Sequence, residues 1–131
     1  MNTGTDRVKL TLPFKAEYVS TARLLTSGMA NRLGFDIDTI EDIKVAVSEV
    51  CSKFVRTGSK LTETYSIEFE VSHKGLNILF YCEDENLKCI FDHEGDGLGI
   101  AIINALMDTV EFCSEKEYVL SMFKAAEGKY E

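Results

Sequence analysis

Apolar and polar residues alternate from Arg7 to Leu12: Val8, Leu10 and Leu12 fall on one face, Arg7, Lys9 and Thr11 on the other. A period of two predicts a half-buried strand, and Pro13 ends it. From Tyr18 to Leu33 the period lengthens. Val19, Ala22, Met29 and Leu33 share one helical face, and Gly34 is a natural stop. Asp36 or Asp38 can cap a second helix. There Ile40, Ile43, Val47, Val50 and Phe54 step by three and four residues up to Gly58, the clearest helical pattern in the chain. Alternation returns with Tyr65, Ile67, Phe69 and Val71, then with Leu76, Ile78, Phe80 and Cys82, so Ser72 to Gly75 reads as a hairpin turn. Asp84 to Asp96 is irregular, with Leu87, Ile90 and Phe91 as anchors. Leu98 to Met107 predicts a short helix. Val110 and Phe112 start a strand, Ser114 to Glu117 turns, and Tyr118, Leu120 and Met122 return. From Ala125 onward the chain is polar and is expected to fray.

The element order is strand, helix, helix, two strands, loop, helix, two strands. It contains no repeat, linker or low-complexity stretch, so residues 1–131 read as a single domain. The fold class is α+β: a two-layer α/β sandwich with about five mostly antiparallel strands and three helices on one face.

Composition narrows the functions open to such a domain. At 131 residues and 45% hydrophobic content the chain can bury one core. Its formal net charge of −8 disfavours phosphate backbones, so nucleic acid is not an expected partner. No apolar run approaches the roughly 18 residues a membrane helix needs, and no N-terminal signal pattern is visible. A cytoplasmic location is the expectation. Cys51, Cys82, Cys89 and Cys113 form no CxxC pair. Cys51 and Cys82 read as small core residues, and neither a disulfide nor a metal role is expected. His73 and His93 lack ligand spacing and read as solvated.

The candidate chemistry sits in two places. Gly95-Asp96-Gly97-Leu98-Gly99-Ile100 opens the third helix. Such a turn leaves backbone N–H groups unpaired at the positive end of the helix dipole, where a phosphate can sit. Close packing of a helix against a sheet also selects glycine, so the turn has a structural reading as well. Glu49 and Lys53 lie one turn apart on the second helix, the favourable order for an ion pair. Asn104 and Asp108 read as surface polarity and a helix end.

These segments carry a resemblance. Asp42-Ile43-Lys44-Val45-Ala46-Val47-Ser48-Glu49-Val50-Cys51-Ser52-Lys53 is similar to "(D/E)-I-x-x-A-V-(S/D)-E-A-x-x-N". Gly97-Leu98-Gly99-Ile100, continuing through Leu106-Met107-Asp108-Thr109-Val110, is similar to "GLGL-x-x-(I/M)-x-x-(L/F)-M-D-x-V". In this order the two resemble the GHKL ATPases, and within them the bacterial anti-sigma-factor serine kinases. The resemblance implies an ATP or ADP site. Glu49 would be the catalytic general base, Asp84 would take the adenine amino group, and Gly95, Gly97, Leu98 and Gly99 would hold the phosphates. It also implies a sigma factor or a STAS anti-anti-sigma protein as partner, and a homodimer.

The chain departs from the pattern at several positions. The family's metal-holding Asn is Lys53 here, which has donors and no acceptor. No metal ligand is therefore assigned, Mg²⁺ is doubtful, and Lys53 becomes a candidate nucleotide-binding cation. The family's Asp-x-Gly-x-Gly has Asn86 and Lys88 at its glycine positions. The lid is short, and Glu115-Lys116-Glu117-Tyr118 replaces a Gly-x-Thr. The expectation is an anti-sigma-like regulator that holds its partner, with ATP binding and kinase activity weakened or lost. The alternative is an active serine/threonine kinase acting on a STAS antagonist.

Overall fold

In the computed structural model the described residues are 4–92, 97–112 and 118–126. The expected turn at Ser114 to Glu117, together with His93, Gly95, Asp96 and Cys113, falls outside them. Five strands form one sheet: β1 (Asp6–Pro13), β2 (Thr64–Ser72), β3 (Gly75–Tyr81), β4 (Thr109–Phe112) and β5 (Leu120–Ala125). Their order is β1-β2-β3-β5-β4, and every neighbouring pair is antiparallel. The helices are α1 (Val19–Asn31), α2 (Ile37–Thr57) and α3 (Gly97–Leu106).

Alternation decides which face of the sheet is covered. Tyr65, Ile67, Phe69, Leu76, Ile78, Phe80, Leu120 and Met122 point into one core with the buried stripe of α2, which is Ile43, Ala46, Val47, Val50, Cys51 and Phe54. Phe54 stacks on Tyr65 with ring centroids 4.6 Å apart. The other face carries the polar set. There Arg7 pairs with Glu70 at 3.1 Å, and the Tyr81 hydroxyl donates to Glu68. Two shallow cavities, of about 650 and 560 Å³, open on that outer face. One is lined by residues such as Lys9, Glu68 and Tyr81, the other by residues such as Asn77, Leu79 and Phe123.

Local signals fix the ends of the helices. Asp36, rather than Asp38, caps α2: its carboxylate accepts from the Thr39 N–H at 2.8 Å. Gly58 closes α2 with φ 65°, a conformation that favours glycine. The α1 helix stops at Asn31, short of the expected Leu33. Its last turn tightens there, with Leu33 and Gly34 N–H groups bonding the Ala30 and Asn31 carbonyls.

Three expectations need correction. Cys89 is disulfide-bonded. Spacing alone did not suggest a disulfide, because bonded cysteines are brought together by the fold and not by sequence proximity. Cys82 is half-buried, since β3 ends one residue before it, whereas Cys51 is fully buried. Burial pushes the Cys51 thiol up to about 11, which makes it an inert core residue. Of the tail expected to fray from Ala125, the first two residues are held: the Ala125 N–H donates to the Asp108 carboxylate at 2.7 Å and the Ala126 N–H to the Lys74 carbonyl at 2.9 Å, in the turns after α3 and between β2 and β3; residues 127–131 lie outside the described residues.

Candidate nucleotide site

The α2 helix lies across the sheet with α1 on one side and α3 on the other. On a 100° helical wheel Glu49 and Lys53 fall on the α3 side, away from Ser48, which accepts a hydrogen bond from Arg23 of α1 at 3.0 Å. The first turn of α3 comes up against Glu49. A Cβ built on Gly99 would stand 3.4 Å from Glu49 Oε1, and one built on Gly97 would meet no atom within 4 Å. This bears on why the glycines are there. Neither has a positive φ, and among the described residues neither is squeezed by a neighbour. Tight helix–sheet packing therefore does not account for them. What their missing side chains leave uncovered is the first turn of α3, where a helix's leading N–H groups have no partner within the helix itself. Leu98 between them is 77% exposed. Gly95 lies outside the described residues.

Asp84 marks the other end. It follows β3 on the inner side of the sheet and is only 3% exposed. Its Oδ2 accepts from the Ser59 hydroxyl at 2.6 Å and its Oδ1 from the Asn86 N–H at 2.9 Å. The Ser59 bond, helped by the Asn86 N–H, holds the Asp84 carboxyl below its ordinary range despite the opposing effect of burial. The segment that follows turns twice, at Glu85–Leu87 and Ile90–Asp92. Leu87, Ile90 and Phe91 are buried, as their pattern predicted, and Phe91 packs on Phe112 with centroids 6.0 Å apart.

Ser59 is the residue the sequence did not flag. It sits just past the Gly58 cap, and its partner lies 25 positions on. A serine after a helix-closing glycine is common turn chemistry and gives no sign of such a contact.

Glu49 and Asp84 thus stand near opposite ends of the second half of α2. From Glu49 to Gly58 the helix rises about 14 Å at 1.5 Å per residue, comparable to an extended nucleoside triphosphate. A site along this stretch would offer a buried acceptor at one end and the first turn of α3 at the other. Lys53 lies between them, one turn beyond Glu49.

The open five-stranded antiparallel sheet with three helices is the architecture of the histidine kinase-like ATPase class. The profile of the histidine kinase-like ATPase domain matches residues 12–124, and the chain belongs to that family. Within it, the chain groups with the bacterial anti-sigma-factor serine kinases. It is 34% identical to the serine-protein kinase RsbW of Halalkalibacterium halodurans over 91% of this chain and 83% of that protein. It is 30% identical to the RsbW of Bacillus mycoides over 91% and 84%, and 31% identical to that of Bacillus thuringiensis over the same shares.

That family implies Mg²⁺, and the donors here do not fit its way of holding the ion. Glu49 offers carboxylate oxygens, but the side chain one turn later is an ammonium with no lone pair. Among the described residues, no group of three or more His, Cys, Asp and Glu side chains converges to hold a metal. Among the same residues, no helix is long and apolar enough to cross a membrane.

Proposed function

We propose that this protein is an ATP-dependent serine-protein kinase of the anti-sigma type. It takes an adenine nucleotide along the α3 side of α2 and passes the terminal phosphoryl group to a serine of a STAS-domain partner. The observation that carries this reading is the Glu49 carboxylate standing against Gly99 in the first turn of α3, with buried Asp84 bonded to Ser59 just past the far end of α2. Asp84 accepts the purine amino group. The N–H groups at Gly97, Leu98 and Gly99 hold phosphate oxygens. Glu49 accepts the proton of the attacking serine hydroxyl, the role a positioned carboxylate serves in general-base catalysis. The relatives, named as serine-protein kinases, support this alternative over partner binding alone.

Lys53 shapes the site. Its ammonium adds a positive charge between Glu49 and the nucleotide end, where it neutralises phosphate charge without being a metal ligand. The protein works in the cytoplasm as a homodimer, and its regulatory output is the holding or release of a sigma factor. A second reading, in which the protein holds its partner and transfers nothing, is favoured by Lys53 standing where the family has a metal ligand.

The test is incubation of the purified protein with γ-labelled ATP and the STAS-domain proteins of its own genome, with and without Mg²⁺. The kinase reading expects label on a serine of one of them and loss of transfer in Glu49→Gln. Nucleotide binding with no labelled partner under either condition would leave the holding role.

A further inference from the structure

We infer that Ser59 is a positioning residue for purine recognition: its hydroxyl fixes the Asp84 carboxylate in one orientation as a pure acceptor, and so sets the preference for a 6-amino over a 6-oxo purine. The inference rests on the nucleotide reading above and deepens it.

The argument starts at Gly58. Its positive φ turns the chain sharply off the end of α2, and the Ser59 hydroxyl meets the carboxylate that follows β3. A serine hydroxyl has one proton and two lone pairs. The proton goes to Asp84 Oδ2 at 2.6 Å, and the lone pairs take the Leu61 and Thr62 N–H groups, each at 3.1 Å. Ser59 is thus saturated. With two backbone donors occupying its lone pairs, the hydroxyl proton is directed at Asp84 and cannot rotate away without breaking those bonds.

The consequence falls on Asp84. Its Oδ1 is held by the Asn86 N–H at 2.9 Å, so a donor grips each oxygen. An ionised carboxylate has about four acceptor positions; the Ser59 hydroxyl and the Asn86 N–H fill two, the Asn86 side chain bears on the same carboxylate, and what is left can only accept. A purine amino group can donate to it. A purine carbonyl in the same place would set oxygen against oxygen, and a buried mismatch of that kind is costly. Without the Ser59 proton, the carboxyl loses its strongest partner. It can then rotate, and it can take up a proton and donate it to a carbonyl. The amino preference weakens while the nucleotide's phosphates are held as before.

Calorimetric titration with ATP and with inosine triphosphate tests this in the wild type, Ser59→Ala and Ser59→Thr, with melting temperatures checking the fold. The expected result is a wild-type preference for ATP that falls at least tenfold in Ser59→Ala and returns in Ser59→Thr, whose hydroxyl can make the same bond. A purely structural role would lower the melting temperature and affect both ligands alike, leaving the ratio unmoved. An unmoved ratio in a folded Ser59→Ala overturns the inference and leaves the nucleotide reading standing. A wild type that binds neither nucleotide overturns both. If Ser59→Ala does not fold, the carboxyl carbon of Asp84 followed by NMR in the wild type decides. Titration below the ordinary carboxylate range supports the inference, and ordinary titration refutes it.

Discussion

Glu49 Oε1 stands 3.4 Å from where a Cβ on Gly99 would be. That distance is ordinary van der Waals contact, so alanine fits there without displacing the protein. The contact also places a carboxylate beside the first turn of α3, where negative charge favours the helix. Gly99 is thus a position where the folded chain alone would accept, and even gain from, a larger residue.

Gly97→Ala and Gly99→Ala are expected to leave stability unchanged or raise it by up to about 1 kcal/mol, because alanine is the better helix former. Both are expected to weaken ATP binding at least tenfold, since the added methyl would stand over the N–H groups proposed to hold phosphate. Melting curves and calorimetry on the same preparations check the pair of effects. Unchanged affinity in both variants would remove the phosphate role of the turn.

Lys53 separates two modes of charge neutralisation. Lys53→Ala is expected to lower ATP affinity at least tenfold in the absence of metal. Lys53→Asn replaces the ammonium by a carbonyl acceptor and is expected to make binding respond to Mg²⁺ where the wild type does not. Isothermal titration with and without EDTA reads both. Wild-type affinity that already collapses on chelation would remove Lys53 from this role.

Acid stability reports the two held carboxylates. Asp84 is lowered chiefly by the Ser59 hydroxyl, and Asp36 by the Thr39 N–H it caps. A carboxyl lowered on folding stabilises the protein above the unfolded value of about 4, and that contribution is lost as pH falls through the lower folded value. The wild type should therefore lose stability below about pH 4, with a shallower dependence in Asp84→Asn and Asp36→Asn. Urea midpoints measured from pH 2 to 7 show the slopes. Identical slopes in all three proteins would contradict the assignment.

The bonded Cys89 predicts a thiol count. A disulfide consumes two thiols, so of the four cysteines two are expected to react in unfolded, unreduced protein and four after reduction. Four reactive thiols before reduction would show the bond absent in solution.

Much of the fold is legible along the chain because its causes are local. Val47, Val50 and Phe54 at helical spacing, Ile67 and Phe69 in alternation, and Gly58 at a helix end each act within a few residues, and each predicts the element found. The antiparallel sheet and its covered face follow from the same alternation. The order of β5 between β3 and β4 does not, because nothing local to β5 says which edge it joins. The candidate site divides in the same way. The Gly97-Leu98-Gly99 turn stands out by residue type, whereas Glu49 and Asp84 enter as candidates only through the resemblance. The approach of Gly99 to Glu49 depends on α3 packing against α2. The role of Ser59 depends on a 2.6 Å contact between residues 25 positions apart. Periodicity fixes which way a side chain faces. Only the packed chain decides what it meets there, because hydrogen bonds act over a few ångströms of space regardless of separation in sequence.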